Sequence, residues 1–167
     1  MYLTKPIKQT HLLNNLARVF GNVSGILRSE EKEKYEALDV GRKLRILVAE
    51  DNIINQKVAG KMLERLGHVY DVAANGAEAI EMCRMIDYDM VLMDMEMPVM
   101  DGLEATKELT KIKDELNKFP IIIAMTANAM AEDQKRCLDA GMKDFLAKPV
   151  TLQSMQAMFM TWFGVKK

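Results

Sequence analysis

From residue 44 onward the chain repeats one pattern five times: a short apolar run, then a stretch with apolar residues at helical spacing. The runs are RILVAED, HVYDVAA, MVLMD, FPIIIAMTA and KDFLAKPV. Helices are expected across residues 56–66, 76–85, 103–115 and 132–140, with TLQSMQAMFMTWF as the last. Inward-facing residues are Val58, Met62, Leu63 and Leu66 on the first helix and Ala77, Ile80 and Cys83 on the second. Leu152, Met155, Met158, Phe159 and Trp162 play that part on the last. Strands alternating with helices argue for an α/β fold, a parallel sheet covered by helices on both faces, because parallel neighbours need a crossover.

In such a sheet the carboxyl ends of all strands share one edge, where open parallel sheets carry their chemistry. That edge receives Glu50 and Asp51 after the first strand, Asp94 from the third, Thr126 from the fourth and Lys148 after the fifth. Met90–Asp94 is a continuous apolar run ending in a carboxylate, and MPVMDG then forces a sharp turn. Each residue alone has an ordinary explanation as a helix cap, a turn residue, a strand residue or a solvated charge. Together they form an oxygen-rich site suited to magnesium, with a lysine and a hydroxyl beside it. Asp94 is the expected nucleophile for phosphoryl transfer to a carboxylate.

Composition narrows the alternatives. A formal net charge of -1 provides no positive field for nucleic acid. No apolar run approaches the roughly 20 residues that span a bilayer, and the first residues lack signal-peptide order, so no direct membrane contact is expected. Cys83 and Cys137 lack zinc-ligand spacing and read as buried reduced thiols. Most of the 15 methionines are expected to fill the core.

The acidic pair in VAEDN, the DMEMPVMDG segment, MTA and FLAKPV together resemble the response-regulator receiver domains of two-component signalling, CheY-like modules of phosphorelays. The resemblance covers about residues 43–163 and implies a (βα)5 flavodoxin-like sandwich with a five-stranded parallel sheet of order 2-1-3-4-5. It implies that Asp94 is the phosphorylated aspartate, and that Mg2+ is held by Glu50, Asp51, Asp94 and the backbone carbonyl of Glu96. Thr126 is then the switch hydroxyl, Phe145 the aromatic that moves with it, Lys148 the phosphoryl-pairing lysine and Pro149 the proline of a cis peptide. Glu96 and Asn128 are the positions that influence the hydrolytic water. The opening VAEDNIINQKVAGKMLERLG resembles receivers attached to hybrid sensor kinases, with Asn52, Asn55 and Gln56 near the docking edge.

The segment YLTKPIKQTHLLNNL at residues 2–16 echoes FLAKPVTLQSMQAMF at residues 145–159, setting Lys5 and Pro6 against Lys148 and Pro149. Residues 1–20 therefore read as the ending of an upstream receiver, with Leu12, Leu13, Leu16, Val19 and Phe20 along one helical face. Residues 21–42 read as a linker or a solvated helix, and residues 43–164 as the receiver. The leading expectation is a phosphoacceptor that takes its phosphoryl group from a histidine kinase or a histidine phosphotransfer domain. No ATP-binding kinase domain is recognised in the sequence. Expected partners also include adjacent domains of the parent protein and a second receiver, in a cytoplasmic setting, with a parent that could be anchored in the inner membrane. A noncatalytic module regulating an attached kinase is the main alternative; a hydrolase with an aspartate nucleophile lacks an evident general acid.

Overall fold

The computed structural model describes residues 42–128 and 130–164. The echo at residues 1–20 and all of the 21–42 segment except Arg42 lie outside the described residues. Among the described residues five strands alternate with five helices: β1 Arg45–Ala49, α1 Ile53–Arg65, β2 Val69–Ala73, α2 Gly76–Met85, β3 Met90–Asp94, α3 Gly102–Lys111, β4 Ile121–Thr126, α4 Ala131–Ala140, β5 Asp144–Ala147 and α5 Leu152–Phe163. All strand pairs are parallel and the order is β2-β1-β3-β4-β5, the expected flavodoxin-like sandwich. Every residue of β3 is buried, as a central strand covered on both faces requires.

The sheet separates two apolar layers. One gathers Leu47, Val91, Met93, Ile122 and Ala124 against Ala79, Cys83, Ala105, Leu109 and Cys137. The other gathers Ile46, Val48, Leu92, Ile123 and Met125 against Leu63, Met155, Met158 and Phe159. Alternation along each strand sends neighbouring side chains to opposite layers. Both cysteines are free and buried, as expected. Met90, Met93, Met125, Met142, Met155 and Met158 fill the core, whereas Met85 and Met130 are exposed.

Details of three helices depart from the helical periodicity. Helix α1 begins at Ile53 because the Asn52 side chain caps it, accepting from the N–H groups of Ile54 and Asn55. Its buried face is Ala59, Gly60 and Leu63, while Val58 is 45% exposed. A Cβ on Gly60 would lie 2.3 Å from the Tyr70 ring, so glycine makes room for that ring between helix and sheet. On α2 the buried residues are Gly76, Ala79, Ile80 and Cys83, so Ile80 and Cys83 face inward as expected while Ala77 is only half-buried. Helix α3 ends at Lys111 and tightens into a 3-10 turn over Lys113–Glu115.

Opposite the carboxyl edge, Asp89 ties the strand starts together. Its side chain accepts from the Arg45 N–H at 2.8 Å and pairs with Lys118 and with Arg42, the latter at 3.2 Å. Burial pushes its pKa up, but the hydrogen bonds and charges of Lys118, Arg45 and Arg42 outweigh burial and hold it below the ordinary value. This stabilisation is therefore present above the ordinary carboxylate value of about 3.9 and is lost as pH falls through the lower folded value. Asp89→Asn is expected to lose about 2 kcal/mol at neutral pH and to show a flatter acid limb in urea unfolding.

Candidate phosphoryl and metal site

The strand register delivers the site. β1 ends at Ala49 and hands on Glu50, β3 ends at Asp94, β4 ends at Thr126, and Lys148 follows β5. The last residues of β3 and β4 are held by continued pairing. The Met95 N–H donates to the Met125 carbonyl at 3.1 Å, and the Lys148 N–H donates to the Thr126 carbonyl at 2.7 Å. The expected residues thus meet around a cavity of about 570 Å3 lined by Glu50, Asp51, Asp94, Glu96, Thr126 and Lys148 among others.

Carboxylate oxygens of Glu50, Asp51 and Asp94 lie within 4.8 Å of one another. Glu50 and Asp94 are buried and Asp51 is exposed, so the cluster opens to water on one side. Lys148 Nζ bridges the inner pair, at 2.9 Å from Asp94 Oδ1 and 3.2 Å from Glu50 Oε2. Burial disfavours the ammonium charge, but the hydrogen bond and charge of Asp94, with those of Glu50, outweigh it and raise the Lys148 pKa. Asp94 Oδ1 also accepts the Glu96 N–H at 3.2 Å. Oδ2 has no hydrogen-bond partner among the described residues.

Glu50 is fixed from its own loop. Its Oε1 accepts the Asn52 N–H at 3.1 Å, and Gln56 Nε2 donates to its backbone carbonyl at 2.6 Å. Two of the three polar residues expected at a docking edge, Asn52 and Gln56, are therefore engaged in building the site, while Asn55 lines the cavity. Asp101 caps α3 by accepting the Glu104 N–H. In the same loop Val99 has φ 70, a left-handed conformation uncommon for a β-branched residue.

The Thr126 hydroxyl donates to the Asn128 carbonyl at 2.9 Å and accepts the Asn128 N–H at 3.1 Å. Both bonds are local to the loop after β4. Phe145 is half-buried against the layer containing Met93 and Ala124. The Lys148–Pro149 peptide is cis, as expected. Sequence reasoning did not single out Asp133 and Arg136 of α4, which also line the cavity. Their only signal was position, within the first turns of the helix following the fourth strand.

The donor set is all oxygen and strongly negative, which suits a hard divalent cation. Glu50, Asp51 and Asp94 can hold such an ion, and Lys148 contributes a positive charge between the inner two carboxylates.

A parallel sheet with an aspartate at the tip of its central strand, flanked by an acidic pair, a hydroxyl and a lysine, defines a receiver. Residues 46–160 match the family described as response regulator receiver domain, and the chain belongs to that family. Hybrid signal transduction histidine kinase B of Dictyostelium discoideum is 41% identical over 133 residues, covering 74% of this chain but 7% of that protein. The receiver domain of sensor histidine kinase PA1611 from Pseudomonas aeruginosa, solved with a magnesium ion coordinated in the active site cleft, is 39% identical with a TM-score of 0.66. The match covers 74% of this chain and all of that one. The receiver domain of the response regulator Ssk1 from Saccharomyces cerevisiae, co-crystallised with the histidine phosphotransfer protein Ypd1, has a TM-score of 0.68 and 30% identity. That match covers 72% and 89% of the two chains.

Proposed function

We propose that this receiver accepts a phosphoryl group on Asp94 from a phosphohistidine, within a histidine-aspartate phosphorelay and with Mg2+ as its cofactor. The observation that carries the reading is the placement of Asp94 at the cavity floor, between two further carboxylates and the Lys148 ammonium. Asp94 Oδ1 is held by Lys148 and the Glu96 N–H, which orients the carboxylate and leaves Oδ2 to attack phosphorus. The new P–O bond forms as the donor P–N bond breaks; the bonding pair stays on the imidazole nitrogen, and the donor ring, already protonated on its other nitrogen, leaves as neutral imidazole. Lys148 then pairs with a phosphoryl oxygen, and Thr126 turns toward the group from its bonds with Asn128.

Glu50, Asp51, Asp94 and the Glu96 carbonyl are the proposed Mg2+ ligands. Bound there, the ion supplies positive charge that offsets the carboxylates and the transferring phosphoryl oxygens.

The proposed donor is a histidine kinase or a histidine phosphotransfer domain, docked over the first turns of α1. Ile53 and Ile54 are 64% and 71% exposed beside the cavity, and with Val58 they offer an apolar face to a protein partner. The likeness to a receiver co-crystallised with a phosphotransfer protein supports that assignment.

Incubation with acetyl phosphate and Mg2+, read by intact mass, should add one phosphoryl group to the wild type. Asp94→Asn and chelated wild type should gain none. Unmodified wild type over a full range of donor and Mg2+ concentrations would sink the reading.

A further inference from the structure

The walls of the Asp94 cavity carry more negative than positive side chains. Asp51, Glu96, Asp101 and Asp133 join Glu50 and Asp94 there, against Lys148 and Arg136. A phosphoryl donor is itself an anion and has to cross this acidic rim. Like charge at the mouth of a cleft slows such an approach, and a well-placed cation reverses the effect.

The two cations are not equivalent. Lys148 is committed at the floor, bonded to Asp94 and Glu50, with its side chain 25% exposed. Arg136 is the other cation among the described lining residues, its side chain 66% exposed on the α4 wall. Its ion-pair partner is Asp133, three residues back on the same helix, at 3.6 Å. A pair that exposed and that long is weak, so the guanidinium can leave it readily. Guanidinium also presents a fork of N–H donors that matches phosphate oxygens.

We propose that Arg136 is a donor-capture residue. It exchanges Asp133 for the phosphoryl oxygens of the incoming donor, lowers the electrostatic barrier of the rim and holds phosphorus over Asp94. Asp133 acts as its resting partner and competes with the donor for it. The proposal rests on the receiver reading and adds to it a residue outside the acidic pair, the phosphorylated aspartate, the threonine and the lysine.

The test is the rate of Asp94 phosphorylation by acetyl phosphate with Mg2+, followed by intact mass on the full chain over a series of ionic strengths. Arg136→Ala should be about fivefold slower at low salt and approach the wild type at high salt, because salt screens an exposed charge. Arg136→Lys should recover most of the rate, Arg136→Glu should be slower than alanine, and Asp133→Asn should match or exceed the wild type. Urea midpoints of the Arg136 variants should stay at the wild-type value, since the residue is exposed. Equal rates and salt slopes for wild type and Arg136→Ala would overturn the proposal and leave the receiver reading standing. A deficit that high salt does not narrow would also overturn it, by marking a structural effect. A wild type that is never phosphorylated would overturn both.

Discussion

Gly102→Ala is expected to destabilise the protein by about 3 kcal/mol and to slow Asp94 phosphorylation by about 100-fold. The cause is a backbone collision. A Cβ at position 102 would lie 2.2 Å from the carbonyl oxygen of Asp94 and 3.0 Å from its carbonyl carbon. Neither atom belongs to a side chain that could rotate away. The same residue donates its N–H to the Met95 carbonyl at 3.3 Å, so the start of α3 is strapped against the tip of β3. Moving either side displaces Asp94 from Lys148 and from the acidic pair. Gly67→Ala is the informative control: nothing lies within 4 Å of its added Cβ, but its φ is 83. That variant should lose only about 1 kcal/mol, with phosphorylation unchanged. Urea unfolding and intact-mass kinetics on both variants check the pair, and equal effects at the two glycines would contradict the close-approach argument.

Lys148→Ala is the second large effect, and it reaches stability and chemistry together. Its ammonium is the inner partner of two buried carboxylates, and its removal leaves Glu50 and Asp94 facing each other with Asp51 nearby. Stranding buried charge costs about 3–5 kcal/mol when water is fully excluded. With the lysine side chain 25% exposed, about 2 kcal/mol is expected here. Phosphorylation should fall by at least about 100-fold, the usual loss when a fixed charge aimed at a transferring group is removed. Mg2+ should restore more stability to Lys148→Ala than to the wild type, since the variant has more uncompensated negative charge. Lys148→Arg should recover stability better than rate, because the planar fork does not occupy the position of a compact ammonium. Denaturant titrations with and without Mg2+ separate these contributions.

The architecture was legible because its signal is periodic. The apolar run at Met90–Met93 is of the kind that fills a strand buried on both faces, and its terminal aspartate was placed once the alternation fixed the sheet edge. Helix boundaries were less legible where side chains face water. Ile53 and Ile54 begin α1 yet are exposed, so they contributed nothing to an inward pattern. The burial of Gly60 in place of Val58 depends on a tyrosine from the next strand, a size match that periodicity does not encode. The roles of Asn52 and Gln56 were hidden for a related reason: polar residues at a helix start look solvated until the Glu50 loop folds back onto them. Arg136 and Asp133 looked like the charges of any exposed helix, and only the cavity wall gives them a common neighbour. The meaning of Gly102 was concealed too, because a turn glycine in sequence does not reveal the carbonyl pressed against it.

The paired bonds between the Thr126 hydroxyl and the Asn128 backbone set a thermodynamic threshold. At about 1 kcal/mol net for each bond, releasing the hydroxyl costs about 2 kcal/mol, so about one molecule in thirty has it free before any phosphoryl group arrives. A modification at Asp94 therefore needs only to favour the released rotamer by somewhat more than that to make the minority the majority. On the proposed switch role of Thr126, the hydroxyl is then expected to behave as a pre-existing equilibrium with a low ceiling, and small changes in the loop after β4 to tune how steeply it responds.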